Sequence, residues 1–268
     1  MTTHRRVLVI GIGMGEPSQL TFAAAEAIGR ADLFLLLDKS EAAGALVAAR
    51  EALIARFGKP GHRILRRESP RLERPAFPAP GEGVAGAGPY RDSVARWHGA
   101  RARLMAEAIG ELPPGGTAAL LVWGDPMLYD STLRVLAGAR ALARAPDFKV
   151  EVLPGISALQ MLCAAHAIPL NGVGEPVLVT TGRRIAEATP DAPAFAVLLD
   201  DGAGLRALMA RGWSGKVWWG AMLGTPDERL LAGRLSEVGD AILALRGELR
   251  ARRGWVMDAW LGRNGEPG

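Results

Sequence analysis

Glycine turns that follow apolar runs are the residues of this chain best suited to chemistry. Residues 7–17 read V-L-V-I-G-I-G-M-G-E-P, an apolar run leading into Gly11, Gly13 and Gly15 and ending at Pro17. Such a turn exposes backbone N–H groups and lets a ligand approach the main chain closely. It is not a dinucleotide-binding turn, which would need glycine at position 16, where Glu16 stands. Nor is it a phosphate-binding P-loop, since no Gly-Lys-Ser/Thr follows. Pro17 suits a first helical turn, where its missing N–H costs nothing. Two further glycine turns follow apolar runs, at Gly124–Pro126 and Pro154–Ser157, and a fourth run ends in Asp38 and Lys39. In open α/β sheets ligands bind beyond the carboxyl ends of the strands. A parallel sheet would therefore bring all four turns to one edge.

Other chemistries fit poorly. The histidines are His4, His62, His98 and His166, and no two stand four apart. With Cys163 the single cysteine, zinc ligation is not expected and an intrachain disulfide is impossible. Gly155 and Ser157 have the spacing of a nucleophile elbow, but Leu159 takes the place of its last glycine. Ser157 therefore reads as a helix N-cap, and a serine hydrolase ranks low.

The elements that position these turns follow from periodicity. Strands are expected at 7–13, 31–38, 63–65, 117–125 and 149–153. Helices are expected at 18–30, 41–57, 90–112, 129–144 and 157–167, the first burying Phe22, Ala25 and Ile28 on one face. Residues 74–89, with four prolines and four glycines, read as a long loop. Apolar strands alternating with helices predict a parallel sheet covered on both faces. After the Gly/Pro-rich stretch 169–176 the pattern changes, with strands expected at 177–181, 195–199 and 216–223. Helices follow near 205–211 and at 236–249, and a closing strand at 254–261 would hold Trp255 and Trp260. The expected organisation is α/β in two domains: residues 1–170 with a mainly parallel sheet, and residues 171–268.

At 49% hydrophobic and 22% charged residues, the 268-residue chain can build substantial cores. The apolar run at 7–12 is too short for a signal peptide, and no run approaches membrane-spanning length. Only residues 262–268 read as a disordered tail. The reducing cytoplasm is the expected compartment. The net charge of +4 comes almost wholly from arginine, with lysine only at Lys39, Lys59, Lys149 and Lys216. Arginines cluster at Arg63, Arg66, Arg67, Arg71 and Arg74, and again at Arg246, Arg250, Arg252 and Arg253. Such clusters are either solvated faces or grips for a polycarboxylate. No interleaving of aromatic and basic residues suggests nucleic acid.

The ordered motifs G-I-G-M-G-E-P, L-L-V-W-G-D-P-M-L-Y, V-L-P-G-I-S-A and G-T-P-D-E-R resemble those of the tetrapyrrole methylase family, over most of the chain. L-L-L-D-K at 35–39, Y-R-D-S-V-A-R-W-H at 90–98, W-W-G-A-M-L-G-T-P-D-E-R at 218–229 and R-G-W-V-M-D-A-W-L at 253–261 resemble one branch of it. The resemblance implies two α/β domains with S-adenosyl-L-methionine in a cleft between them, and a tetrapyrrole (precorrin) substrate. By motif it implies cofactor contacts from Pro17, Trp123, Gly124, Asp125, Leu128, Ser157, Ala158, Asp201, Gly202 and Leu223. Leu199 and Asp200 enter with a small register shift. No metal is implied, and a homodimer is expected. The branch methylates C-1 of precorrin-5 and releases its acetyl unit as acetic acid, a step that a general base and an oxyanion donor would assist. Asp38, Lys39 and Tyr129 are the candidate catalytic residues, with Asp38 as base and Lys39 as electrostatic stabiliser. Two alternatives remain: methylation of another tetrapyrrole carbon without deacylation, and a non-catalytic tetrapyrrole-binding protein.

Overall fold

A computed structural model describes residues 4–38, 44–70, 72 and 87–264. It divides into two compact units, Met1–Ile156 and Ser157–Gly268. The division falls ahead of the 169–176 stretch, because the helix that begins at Ala158 packs on strands of the second unit.

The first unit holds strands β1 (Arg5–Gly11), β2 (Leu33–Asp38), β3 (Arg63–Glu68), β4 (Thr117–Val122) and β5 (Phe148–Leu153). Between them lie helices α1 (Phe22–Arg30), α2 (Gly44–Phe57), α3 (Ala87–Gly110) and α4 (Thr132–Arg140). The strand order is β3-β2-β4-β1-β5, and every pairing is parallel. Side chains alternate across a strand, so each face of the sheet buries its own set. Val7, Val9, Leu33, Leu35 and Leu120 pack with Met105 and Ile109 of α3 and Val135 and Leu136 of α4. Leu8, Ile10, Phe34, Leu36 and Leu121 pack with Ala27 and Ile28 of α1 and Leu53 and Ile54 of α2. Two covered faces explain why these strands read as continuous apolar runs.

The second unit begins with α5 (Ala158–His166). There follow β6 (Val177–Thr181), α6 (Gly182–Glu187), β7 (Ala194–Leu198), α7 (Ala203–Ala210), β8 (Lys216–Ala221), β9 (Arg229–Arg234), α8 (Leu235–Arg253) and β10 (Asp258–Arg263). Its sheet is mixed, in the order β6-β7-β10-β8-β9, with only β6 and β7 parallel. Phe195, Val197, Trp219 and Trp260 form the core with Leu205, Leu208 and Ile242.

Several expectations are corrected. Phe22 is 92% exposed, and α1 instead buries Ala24, Ala27 and Ile28. A 3₁₀ turn at Pro17–Gln19 separates the glycine turn from α1, which Thr21 caps by accepting from the Ala24 N–H at 3.0 Å. This shifts the helical phase expected from a start at residue 18. Trp255 lies outside β10, because α8 runs to Arg253 and ends on Gly254 at φ 77. Gly262 and Arg263 belong to β10 rather than to a tail. The helix expected at 129–144 is confined to α4, and the short elements α6 and β9 were not expected. Of the loop expected at 74–89, residues 87–89 open α3 and the rest lie outside the described residues.

Candidate active site

With every strand of the first sheet parallel, the carboxyl ends of β1, β2, β4 and β5 share one edge. The first and third are joined directly: Gly13 and Gly124 form an antiparallel bridge, with the Gly124 N–H donating to the Gly13 carbonyl at 2.7 Å. The third and fourth are joined through Asp125, whose Oδ2 accepts from the Gly155 N–H at 2.9 Å. Its Oδ1 accepts from the Met127 N–H at 2.8 Å. Asp125 is thus committed to holding turns together, which a motif match alone could not reveal. Gly155 has to be glycine for space, since a Cβ there would lie 2.2 Å from the Gly124 carbonyl oxygen.

Gln19, buried, accepts from the Met14 N–H at 2.6 Å and so fixes the shape of the glycine turn. Trp123 lies against Gly15, where a Cβ would come within 2.6 Å of its ring. The Arg50 guanidinium stands 4.9 Å from the Trp123 ring centroid, and its Nε donates to the Leu121 carbonyl at 2.9 Å. The Trp123 indole N–H is buried with no hydrogen-bond partner among the described residues. A buried donor left in that state costs about 1–3 kcal/mol, so it suits a site that a ligand acceptor completes. Sequence reasoning named Trp123 but missed Gln19 and Arg50, whose roles depend on chain approach.

Tyr129 has φ 53, in the left-handed region that costs a non-glycine residue about 1–2 kcal/mol. Burial pushes its phenol pKa up from an already alkaline value. Leu128 closes the turn through its N–H to the Asp125 carbonyl at 3.1 Å. Asp38 ends β2 at the same edge, and Lys39 lies outside the described residues.

In the second unit β7 and β8 both pair antiparallel with β10, so they run in the same direction. Their carboxyl ends therefore share an edge, and the residue after each is again left-handed: Leu199 at φ 53 and Met222 at φ 52. Leu199 is 69% exposed, whereas Met222 and Leu223 are buried. Asp200 is structural. It accepts from the Gly202 and Gly204 N–H groups at 3.0 Å, opening α7, and from the Trp260 indole at 3.0 Å. Asp201 is exposed and accepts from the Ala203 N–H. Ser157 caps α5 in a reciprocal capping box with Gln160, the N-cap role expected of it. Ala158 is the first residue of that helix.

Much of the arginine is already partnered. Arg63 and Arg67 pair with Glu111, and Arg66 with Glu51. Arg252 and Arg253 both pair with Asp227 of the G-T-P-D-E-R hairpin. Arg246 is buried, bonding Asp258 at 3.0 Å and the Asp200 carbonyl at 2.9 Å. Arg71 and Arg74 lie outside the described residues. The described pairs brace the fold, and Arg250 is exposed.

The profile of the tetrapyrrole (corrin/porphyrin) methylases matches residues 6–239. The chain belongs to that family. It is 40% identical over 266 residues to a precorrin-6A synthase [deacetylating] of Sinorhizobium sp, covering 97% of this chain and 96% of the relative. A cobalamin-synthesis-related protein of Corynebacterium diphtheriae, CobF, superposes with a TM-score of 0.78 at 34% identity, covering 97% and 98% of the two chains. A uroporphyrin-III C-methyl transferase of Thermus thermophilus, crystallised with S-adenosylhomocysteine, shares the fold at TM-score 0.56 and 19% identity, over 96% and 92%. As a tetrapyrrole methylase the chain is a methyltransferase of α/β fold. No helix among the described residues is long and apolar enough to cross a membrane.

Proposed function

We propose that this methylase transfers a methyl group from S-adenosyl-L-methionine to C-1 of precorrin-5 and releases the acetyl unit there as acetic acid. The observation that carries this reading is the 40% identity, sustained over 97% of the chain, to a deacetylating precorrin-6A synthase. The cofactor supplies an activated methyl group on a sulfonium with a neutral leaving group, so the transfer requires no metal and no covalent enzyme intermediate. The protein's task is then to hold two reactants in near-attack geometry. Pro17, Trp123, Gly124, Asp125 and Leu128 are proposed to hold the cofactor. The fused turns supply fixed main-chain groups, and the unpartnered Trp123 indole N–H is a donor in reserve. On motif correspondence alone the proposal extends to Ser157, Ala158, Asp201, Gly202 and Leu223.

Loss of the acetyl unit needs water to attack its carbonyl. Asp38 is proposed as base, and Lys39 and the protonated Tyr129 as stabilisers of the developing oxyanion. The decisive experiment is turnover with precorrin-5 and isotopically labelled donor, read by mass spectrometry with acetic acid assayed in parallel. Gain of one labelled methyl group with stoichiometric acetic acid is expected. Methyl gain without acetic acid would move the reaction to another ring carbon, and binding without methyl transfer would make the chain a tetrapyrrole carrier. A homodimer and a cytoplasmic location complete the proposal, and light scattering of the purified protein tests the former.

A further inference from the structure

The motif Tyr90–His98 marks the family branch, yet the cofactor site does not use it. It lies on α3, which packs against α4. At the end of the motif and one turn beyond it stand Trp97, His98 and Arg101. The Arg101 guanidinium lies 4.7 Å from the Trp97 ring centroid and donates from Nη1 to Ser131 Oγ at 3.3 Å. Ser131 belongs to the connection that begins with Trp123–Asp125 and ends at α4, so Arg101 is tied to the candidate site's own loop. Its Nε is buried with no partner among the described residues. That is unusual for an arginine, whose five donors are normally satisfied when buried. Burial lowers the His98 pKa, and the charges of Arg101 and of Arg134 on the adjoining α4 lower it further. Burial lowers the Arg101 pKa, against the pull of Asp130, whose Oδ1 accepts from the Thr132 N–H at 2.6 Å. Among the described residues the cluster thus sets Arg101 and Arg134 against Asp130, with Arg101 Nε left without an acceptor.

We infer that Arg101, with Arg134 and His98, binds a peripheral carboxylate of the tetrapyrrole and so sets which edge of the macrocycle enters the site. This rests on the methyltransferase reading above. Corrin precursors carry acetate and propionate arms, and a planar guanidinium is the group suited to bind one in bidentate fashion. The stacked Trp97 holds that plane in position, with its indole N–H donating to the Pro70 carbonyl at 2.7 Å.

The test measures binding separately from methyl transfer. The full-length protein and its Arg101→Gln, Arg101→Lys and Arg134→Gln variants are titrated with uroporphyrin III, a stable polycarboxylate macrocycle, and separately with S-adenosylhomocysteine. Arg101→Gln should weaken macrocycle binding about tenfold or more. Arg101→Lys should recover part of that loss, because it restores charge but not the fork. The exposed Arg134→Gln should weaken binding by a smaller factor, and it serves as the readout should Arg101→Gln fail to fold. Affinity for S-adenosylhomocysteine should stay within about twofold of wild type throughout. Wild-type macrocycle affinity in Arg101→Gln or in Arg134→Gln overturns the inference, as does equal loss of both ligands. It is also overturned if the wild-type protein binds S-adenosylhomocysteine but not the macrocycle. A wild-type protein that binds the macrocycle but not S-adenosylhomocysteine sinks the methyltransferase reading instead.

Discussion

Replacing Gly155 by alanine tests whether the fused turns make the site. The added Cβ would lie 2.2 Å from the Gly124 carbonyl oxygen and 2.7 Å from Gly11 Cα. Both neighbours are backbone, so no side chain can swing aside. The turns after β4 and β5 would have to part by about 1 Å to reach ordinary contact, in a region packed as densely as a crystal. Gly124 is bridged to Gly13, and Asp125 holds the Gly155 N–H, so the displacement would reach all three turns. Overpacking of this kind costs about 1–3 kcal/mol. For a unit of this size that lowers the unfolding midpoint by about 2–4 °C per kcal/mol. A 1 Å error in reactant placement costs about a hundredfold in rate. Thermal unfolding, S-adenosylhomocysteine calorimetry and methyl-transfer turnover should all register the change, with turnover falling most. Gly99→Ala is the control. It lies inside α3 with nothing within 4 Å of the added Cβ, and should stabilise by about 0.5–1 kcal/mol. A Gly155→Ala protein with wild-type midpoint, affinity and turnover would refute the reasoning.

Asp125→Ala removes the acceptor of the Gly155 and Met127 N–H groups. Cofactor affinity should fall about tenfold by calorimetry with the circular dichroism spectrum unchanged, and undiminished affinity would remove Asp125 from the site. Phe22→Ser should leave urea-unfolding stability within about 0.5 kcal/mol of wild type, because its ring faces solvent. A larger loss would restore it to the core. Asp258 is pushed up to about 6 by burial, against the pull of Arg246. A carboxyl with a folded-state pKa above its unfolded value binds more protons when folded. Stability from this group is therefore full below about pH 4 and lost as pH rises through about 6. Asp258→Asn should abolish that slope in urea titrations between those pH values. It should also cost about 3–5 kcal/mol at neutral pH, by stranding the buried Arg246 charge. A variant that keeps the wild-type slope would assign it to another group.

Much of the architecture was readable in advance. Strands buried on both faces are apolar throughout, and Leu33–Asp38 and Thr117–Val122 read as such without any partner known. The glycine turns announce themselves, because few other residues follow a strand so tightly. Helix phase was less readable. One capping residue, Thr21, moved the start of α1 and turned Phe22 outward, a local choice between two starts of similar propensity. The mixed second sheet was harder still, since β9 is only half buried and carries a weak apolar signal.

What the sequence determined by itself was the set of strand-end turns, their order along the chain and the family they belong to. What tertiary structure decided was the use of each polar side chain in and around them. Asp125 became a staple between turns, Asp200 a helix cap, and Arg246 a buried brace. Arg101, unremarkable on a helix rich in arginine, was left with its Nε unpartnered among the described residues. Each of these outcomes depends on which groups from distant parts of the chain come within about 3 Å, the reach of a hydrogen bond. Residue type and spacing along the chain do not carry that information.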